Sequence, residues 1–291
     1  MNTKNIAHRY IDKLIHSEKL GLIIALVVMI VVFSILTNNN YFTSQNIINI
    51  LIASSIIGLV TIGESYLLIA GQVDLSAGSV AAFSGVLVTL LLTHGITMWV
   101  AIPLVILLGV FIGLFNSVMV NFLKFESFIA TLASMSIFRG IAYIICGGKS
   151  IFVTDKSFLK MGVGRLLGIP IPVIICIIMF LVFAKILNQT KFGRSIYMVG
   201  GNQTAARLAG IKATAVKAKL FMITSGFAAL GGIILAARMS SGQPSANEGL
   251  EFDAVTACVL GGIAMSGGIG NLSGALIGLL ILQGFNNGLM M

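Results

Sequence analysis

Charged residues are scarce in this sequence: only 9% of its 291 residues are Asp, Glu, Lys or Arg. A soluble domain of this size needs about a quarter of its residues charged to cover its surface. The scarcity therefore excludes an ordinary soluble globular domain. Apolar residues are abundant instead, at 57% of the chain with a mean hydropathy of +1.05, which is typical of a protein that faces lipid.

Residues that carry catalysis or hold cofactors are also sparse. The three cysteines, Cys146, Cys176 and Cys258, lie far apart in or beside apolar stretches, so they indicate packing rather than a disulfide or a metal site. The sequence contains no Ser-His-Asp set, zinc signature or paired-carboxylate site. The stretch "GGIAMSGGIGNLSGALIG" lacks the lysine of a phosphate-binding loop, and its Gly270, Gly274 and Gly278 are spaced for close helix contact. We expect no enzyme activity, metal or cofactor in this chain.

The net charge of +9 indicates orientation in a membrane. The basic residues form no dense run and no aromatic residues interleave with them, so nucleic-acid binding is not expected. More of them fall in the N-terminal tail, at Lys124 and over 185–219 than in the alternate loops, which predicts a cytoplasmic N-terminus. Residues 1–19 are basic with apolar residues at near-helical spacing and are predicted to form an amphipathic segment on the cytoplasmic membrane surface.

Apolar stretches predict an all-α polytopic membrane protein. About 20 residues of helix cross the hydrocarbon core. We expect a transmembrane domain over 20–291 with about nine transmembrane helices, of which the third and eighth are short and may be tilted, broken or extended. The predicted spans are 20–36, 47–70, 79–92, 99–122, 127–146, 169–187, 220–237, 254–265 and 272–290. The abrupt ending "GFNNGLMM" suggests a truncation or one further helix.

Polar side chains within these spans are costly in lipid and usually face protein or water. Taken as a set, they predict a path for a hydrophilic solute. The alternative is a set of interhelical hydrogen bonds, including a structural pair between Glu64 and Arg139. Glu64 is also the carboxylate that a proton-coupled carrier would need, although no cluster of acids or histidines accompanies it. The predicted pathway residues are Glu64, Asp74, Asn116, Arg139, Gln283, Asn286 and Asn287.

The stretch "GQVDLSAGS" predicts a joint between two helices. Gly71 is suited to end one helix, and Asp74 is suited to cap the next by accepting a backbone N–H. A part for Asp74 in the pathway, or in signalling to a partner, is the other hypothesis.

The segment 188–219 is the longest cytoplasmic stretch that is not apolar. Within it "NQTAARLAG" predicts a short helix that Asn202 caps and Gly210 ends. The helix is interpreted as a lever on the membrane surface or as an ordinary basic connection.

Four segments, in order, resemble the membrane permease of bacterial ATP-binding-cassette importers of ribose and simple sugars. They are "VDLSAGSVAA", "FIATLASMSIFRGIA", "FGRSIYMVGGNQTAARLAGI" and "GGIAMSGGIGNLSGALIGLLILQGFNNGL". The resemblance implies about ten transmembrane helices, a multi-pass protein of the bacterial inner membrane, and a second permease subunit, identical or different. It also implies cytosolic ATPase subunits that hold ATP and Mg, and a periplasmic or lipid-anchored sugar-binding protein.

The resemblance further places the cytoplasmic coupling helix at 203–210. The residues matched to ATPase coupling are Gly200, Gly201, Asn202, Ala205, Ala206, Arg207 and Gly210. Basic residues predicted on the outer side are suited to dock an acidic surface of the binding protein. They are Lys149, Lys156, Lys160, Arg165 and Arg238.

Three functions follow in order of expectation. The first is a permease subunit that translocates a ribose-like monosaccharide with energy from a separate ATPase. The alternative is an ion- or proton-coupled secondary transporter of a small polar solute. An intramembrane enzyme comes last, because no catalytic constellation supports it.

Overall fold

The structure, a computed structural model, describes residues 18–291, and this range is mostly helical. Its first six helices are α1 (Glu18–Leu36), α2 (Ser44–Ile69), α3 (Ala77–Thr93), α4 (Met98–Asn121), α5 (Ser127–Cys146) and α6 (Lys156–Val163). The other six helices in this range are α7 (Ile171–Gln189), α8 (Lys191–Gly201), α9 (Gln203–Leu208), α10 (Ala213–Met239), α11 (Leu250–Leu260) and α12 (Leu272–Leu289). The strands β1 (Ile151–Phe152) and β4 (Ser241–Gly242) pair antiparallel, and β2 (Arg165–Leu166) pairs antiparallel with β3 (Ile169–Pro170).

Within residues 18–291, six helices are long and apolar enough to cross a membrane: α2, α4, α5, α7, α10 and α12. Helices α1 and α3 are apolar but shorter, so the expected count of nine is not confirmed. The predicted span 254–265 is the clearest departure. Its helix α11 has 11 residues and ends at Leu260, so it covers about 16 Å, roughly half of the hydrocarbon core.

Helix α10 occupies the centre of the bundle. It packs against α2, α3 and α4, and 78% of its most apolar window is buried. Small residues let these neighbours approach closely, because a methyl group on Gly113 would overlap the Phe221 backbone and one on Gly232 would overlap the Ala81 carbonyl. Helices α4, α5 and α7 leave most of their apolar side chains exposed, as expected for helices at the lipid boundary.

The predicted small-residue face of the glycine-rich stretch is confirmed at two of its three positions. Methyl groups on Gly274 and Gly278 would overlap the carbonyl oxygens of Gly261 and Ala257, so α12 lies directly against α11. Gly270 is not part of this face, because it precedes α12 and adopts a φ of +135°.

The cytoplasmic segment predicted over 188–219 contains two helices rather than one. The sequence predicted α9, and its signals are confirmed: the Asn202 side chain accepts a hydrogen bond from Ala205 N at 2.9 Å, and Gly210 ends the turn with a φ of +80°. Helix α8 was not predicted, and α10 begins at Ala213, seven residues before the predicted span. The amphipathic segment predicted over 1–19 lies almost wholly outside the described residues.

Candidate functional site

The joint between α2 and α3 is a buried loop centred on Asp74. One carboxylate oxygen of Asp74 accepts hydrogen bonds from Ser76 N at 2.9 Å and Ser76 Oγ at 2.5 Å. Both side chains are fully buried. Ser76, not Asp74, occupies the cap position of α3 and makes no side-chain cap bond, so Asp74 stabilises the turn just before the helix rather than capping it.

Two further helices contribute hydrogen bonds to the same carboxylate. Asn116 Nδ2 on α4 lies 3.3 Å from Asp74 Oδ1 and 2.8 Å from Ser76 Oγ. Ser225 Oγ on α10 donates to Asp74 Oδ2 at 3.2 Å, and Ser134 on α5 donates to the amide oxygen of Asn116. All of these groups are fully buried. Asp74 therefore ties together α3, α4, α5 and α10.

The backbone of the joint is also held by side chains. Val73 N donates to Ser127 Oγ at 3.3 Å and Leu75 N donates to Thr131 Oγ1 at 3.0 Å. Asp74 N donates to Glu64 Oε2 at 3.4 Å. A buried loop has to satisfy its backbone groups in this way, because lipid and apolar side chains offer no partners.

A second irregular segment reaches the same region from the other end of the bundle. Arg139 Nη1 on α5 donates to the carbonyl oxygens of Pro244 and Ala246, both at 2.7 Å. Arg139 does not pair with Glu64, so the structural pair considered from the sequence is wrong. A methyl group on Gly78, in the first turn of α3, would overlap the Glu251 carboxylate. The start of α11 thus lies against the start of α3.

Several buried polar atoms of this central site have no hydrogen-bond partner within the described part of the chain. They are Glu64 Oε1, Ser79 Oγ, Arg139 Nη2 and both carboxylate oxygens of Glu251. The site therefore has donor and acceptor capacity that its own residues do not use. Sequence reasoning missed Glu251, although its place in the first turn of a short helix beside an apolar stretch was a usable signal.

The other predicted pathway amides lie elsewhere. Asn46 Nδ2 donates to Asn287 Oδ1 at 2.8 Å, next to the hydrogen bond from Tyr41 OH to Gly284 O at 3.0 Å. Asn46 precedes Glu64 by eighteen residues on α2, which is about 27 Å along the helix axis. The amide cluster of α12 therefore lies at the opposite end of α2 from the central site. Gln283 is buried there and Asn286 is half-buried.

The residues predicted to couple to an ATPase contact the joint directly. A methyl group on Gly200, at the end of α8, would overlap the Ile69 carbonyl oxygen. That same oxygen accepts a hydrogen bond from Gly268 N at 2.8 Å. We call this contact of Gly200, Ile69 and Gly268 the glycine junction. It fastens the cytoplasmic helices to the last turn of α2, five residues before Asp74.

The rest of the predicted coupling set lies at the surface around α9. Ala206 is buried, whereas Gly201, Asn202, Ala205, Arg207 and Gly210 are exposed. Leu208 is 85% exposed, which is unusual for a leucine in a six-residue helix and is consistent with a surface that a partner covers.

A polar cavity of about 470 Å³ separates α9 from the joint. Its polar lining comes from Gln72, Asn121, Lys124, Ser127, Gln203 and Lys217. The Lys217 ammonium donates to the Gln203 side-chain oxygen at 3.5 Å across this space. The cavity gives hydrophilic surroundings to the cytoplasmic side of the joint.

The predicted docking residues lie together and all five are exposed: Lys149, Lys156, Lys160, Arg165 and Arg238. Helix α6 is fixed to the end of α10, because a methyl group on Gly162 would overlap the Arg238 backbone. Sequence reasoning missed the apolar side chains that accompany this basic surface. Phe152 is 73% exposed and Leu167 is 96% exposed.

The chain is similar over most of its length to known transport proteins. The family described as "Branched-chain amino acid transport system / permease component" matches residues 46–291. The ribose import permease protein RbsC of Bacillus subtilis is 39% identical over 274 residues, covering 94% of this chain and 85% of the relative. The corresponding RbsC of Escherichia coli (strain K12) is 38% identical over 294 residues, covering 99% and 91%. The L-arabinose transport system permease protein AraH of the same strain is 37% identical over 270 residues, covering 93% and 82%. No solved structure matches the chain.

A polytopic helical bundle with a buried polar centre, together with these similarities, defines a membrane transport permease rather than an enzyme. The chain belongs to the family of permease components of branched-chain amino acid transport systems. It is a multi-pass inner-membrane protein.

Proposed function

We propose that the chain is the permease subunit of an ATP-driven importer that translocates a monosaccharide related to ribose or arabinose. The observation that carries the proposal is its 37–39% identity to proteins named as ribose and arabinose permeases. The family description names amino acids, but these relatives cover nearly the whole chain and are named for sugars. One of the relatives, from Azospirillum brasilense, is named an ABC transporter permease, which favours this function over the secondary transporter.

The central site has the chemistry that a sugar path needs. A monosaccharide presents hydroxyl groups that both donate and accept hydrogen bonds, and sites for such ligands place a few polar groups precisely. Glu64 and Glu251 offer buried acceptors, and Arg139 offers a buried donor, each with an unused position. Asp74 and Asn116 fix the joint beside them. The path is closed in this conformation, because Asp74 and Glu64 are fully buried.

Opening the path requires the joint to move, and the glycine junction supplies the link. A force on α9 reaches Gly200 through the single residue Asn202 that separates α8 from α9. Gly200 lies against Ile69, so displacement of α8 displaces the last turn of α2 and the start of the joint. Two-state movements of this kind, in which a partner selects one arrangement of rigid helices, are a common basis for switching.

The partners follow from the same assignment. A cytosolic ATPase, which holds ATP and Mg, contacts α9 through Arg207 and Leu208. A periplasmic or lipid-anchored sugar-binding protein docks on the basic outer surface, and a second permease subunit completes the path. The N-terminus is cytoplasmic in this arrangement, because the segment 188–219 has to face the ATPase.

Uptake by whole cells tests the substrate class. Cells that lack their own ribose and arabinose uptake express the chain with its neighbouring transporter genes and receive labelled ribose, arabinose or leucine. We expect accumulation of a pentose and none of leucine. Arg207→Glu should abolish uptake, whereas Lys212→Glu, an equal charge change beyond α9, should retain most of it. Membrane levels of each variant are measured in parallel. Uptake of leucine without either sugar would overturn the substrate assignment.

A further inference from the structure

An apolar groove of about 660 Å³ runs along the outside of the bundle between α4, α7 and α10. Its volume lies within the roughly 300–1,000 Å³ of small-molecule sites. Its walls include Val110, Met179, Phe183, Met222 and Phe227, and Gly226 leaves space on the α10 side. The rings of Phe183 and Phe227 meet edge to face with centroids 4.8 Å apart. The groove is separate from the central site.

The groove carries a single charged residue, Lys219, and this residue lies at one end. The Lys219 ammonium lies 5.7 Å from the centroid of the Phe192 ring, a cation–π distance that holds the ammonium at the mouth. Lys219 to Leu230, the farthest groove residue along α10, spans about 16 Å of helix. That length matches about one leaflet of the hydrocarbon core, half of its roughly 30 Å.

The surroundings of Lys219 are strongly basic. No acidic residue occurs anywhere in the sequence from 156 to 247. Lys185, Lys191 and Arg194 are exposed on α7 and α8, the helices nearest this mouth. Exposed apolar side chains of α4 and α7, such as Phe111 and Leu181, flank the groove and face lipid. One positive end and one apolar length match a single kind of molecule.

We propose that the groove binds one anionic phospholipid of the cytoplasmic leaflet, with an acyl chain between α4, α7 and α10 and the headgroup phosphate at Lys219. The lipid would brace α7 against α10, the two helices on either side of the cytoplasmic segment α8–α9. A lysine beside an anionic membrane surface stabilises binding by about 1 kcal/mol, which is about fivefold in affinity. The inference goes beyond the proposed function, since it holds for either kind of transporter.

Photolabelling of the complete chain in lipid nanodiscs tests the site. The probe is phosphatidylglycerol with a diazirine in its acyl chain, and adducts are mapped by mass spectrometry. We expect adducts concentrated on groove residues such as Met179 and Met222. Zwitterionic phosphatidylcholine with the same diazirine should label these positions about fivefold less. Lys219→Gln should weaken phosphatidylglycerol labelling about fivefold, and Lys212→Gln, at the start of α10, should leave it unchanged.

A second variant blocks the groove without changing charge. A side-chain carbon on Gly226 would lie 3.2 Å from Val110, so Gly226→Leu fills the space and should remove labelling by both lipids. Lys219 is exposed, so Lys219→Gln keeps the test valid even where Gly226→Leu fails to fold. Equal labelling by both lipids, with no effect of Lys219→Gln, would mean ordinary boundary lipid and overturn the proposal. Cross-links between two copies through the groove, in place of lipid adducts, would also overturn it.

Discussion

Asp74 concentrates the chemistry of the central site in one carboxylate. Its two oxygens accept from Ser76, Asn116 and Ser225, so one residue sets the positions of three helices and of its own turn. Hydrogen bonds to a charged acceptor are among the stronger ones, and a buried donor that loses its acceptor costs about 1–3 kcal/mol. The residue is therefore structural and lies beside the proposed path at the same time.

Substitutions at Asp74 should separate these two contributions. Asp74→Ala leaves the buried donors of Ser76 and Asn116 unpaired, so we expect a large loss of thermal stability in detergent. Asp74→Asn keeps one oxygen acceptor and should lie between Asp74→Ala and the native protein. Ser84→Ala is the control, because the Ser84 hydroxyl is buried without a partner in the described residues and its removal should be nearly neutral. Equal melting temperatures for Asp74→Ala and the native protein would contradict the network.

At the scale of elements, the glycine junction is the contact that joins the cytoplasmic helices to the transmembrane bundle. Gly200 and Gly201 are adjacent and chemically identical, yet their surroundings differ. A methyl group on Gly200 would overlap the Ile69 backbone, whereas one on Gly201 would only reach Gly268 Cα at 4.0 Å. Overpacking against backbone typically costs about 1–3 kcal/mol, because the neighbour cannot rotate away.

This difference gives a matched pair of variants. Gly200→Ala should lower the melting temperature by several degrees and reduce uptake even where the protein reaches the membrane. Gly201→Ala should behave like the native protein in both measurements. The contact between α8 and α2 would be refuted if the two variants lost stability equally.

The elements also show where sequence patterns succeed and fail. The α2–α3 joint, α9 and its cap at Asn202 were predicted because glycine, aspartate and asparagine act locally on the next few residues. Helix α8 was missed because its apolar residues are too few for a span. Helix α11 was predicted as a full span because Gly261 and the turn after it interrupt an otherwise apolar run.

The central site was predicted in part for a similar reason. Glu64, Asp74, Asn116 and Arg139 stood out as polar residues in apolar surroundings, and the structure brings them to one region. Gln283, Asn286 and Asn287 stood out equally but lie at the far end of α2. Sequence spacing within a helix fixes a face, but it does not say which depth of a neighbouring helix that face meets. Their assignment to a pathway stays a prediction.

At the scale of the whole molecule, charge is divided between the two ends of the bundle. The outer surface carries Lys149, Lys156 and Lys160 beside exposed Phe152 and Leu167, a combination suited to a protein partner with an acidic rim. Exposed charges act mainly on association rate and are screened by salt within about 8–10 Å.

Reversing this charge should weaken docking of the binding protein. We expect Lys156→Glu with Lys160→Glu to slow association of the sugar-loaded binding protein with the reconstituted transporter, measured by surface plasmon resonance. The difference from the native transporter should shrink as salt rises from 50 to about 300 mM, because the charges are then screened. Lys185→Glu, on the cytoplasmic side, serves as the control. An association rate that ignores both the outer charges and the salt would exclude this surface as the docking site.

The energy source of transport is the most direct test of the central claim. The measurement is the initial rate of labelled pentose uptake into proteoliposomes that hold the assembled transporter, with ATP on the side of α9 and binding protein on the other. An ATP-driven permease predicts uptake with ATP, none with a non-hydrolysable analogue, and no effect when proton gradients are collapsed. Uptake driven by an imposed proton gradient without the ATPase would contradict the account and make Glu64 the residue that carries the proton.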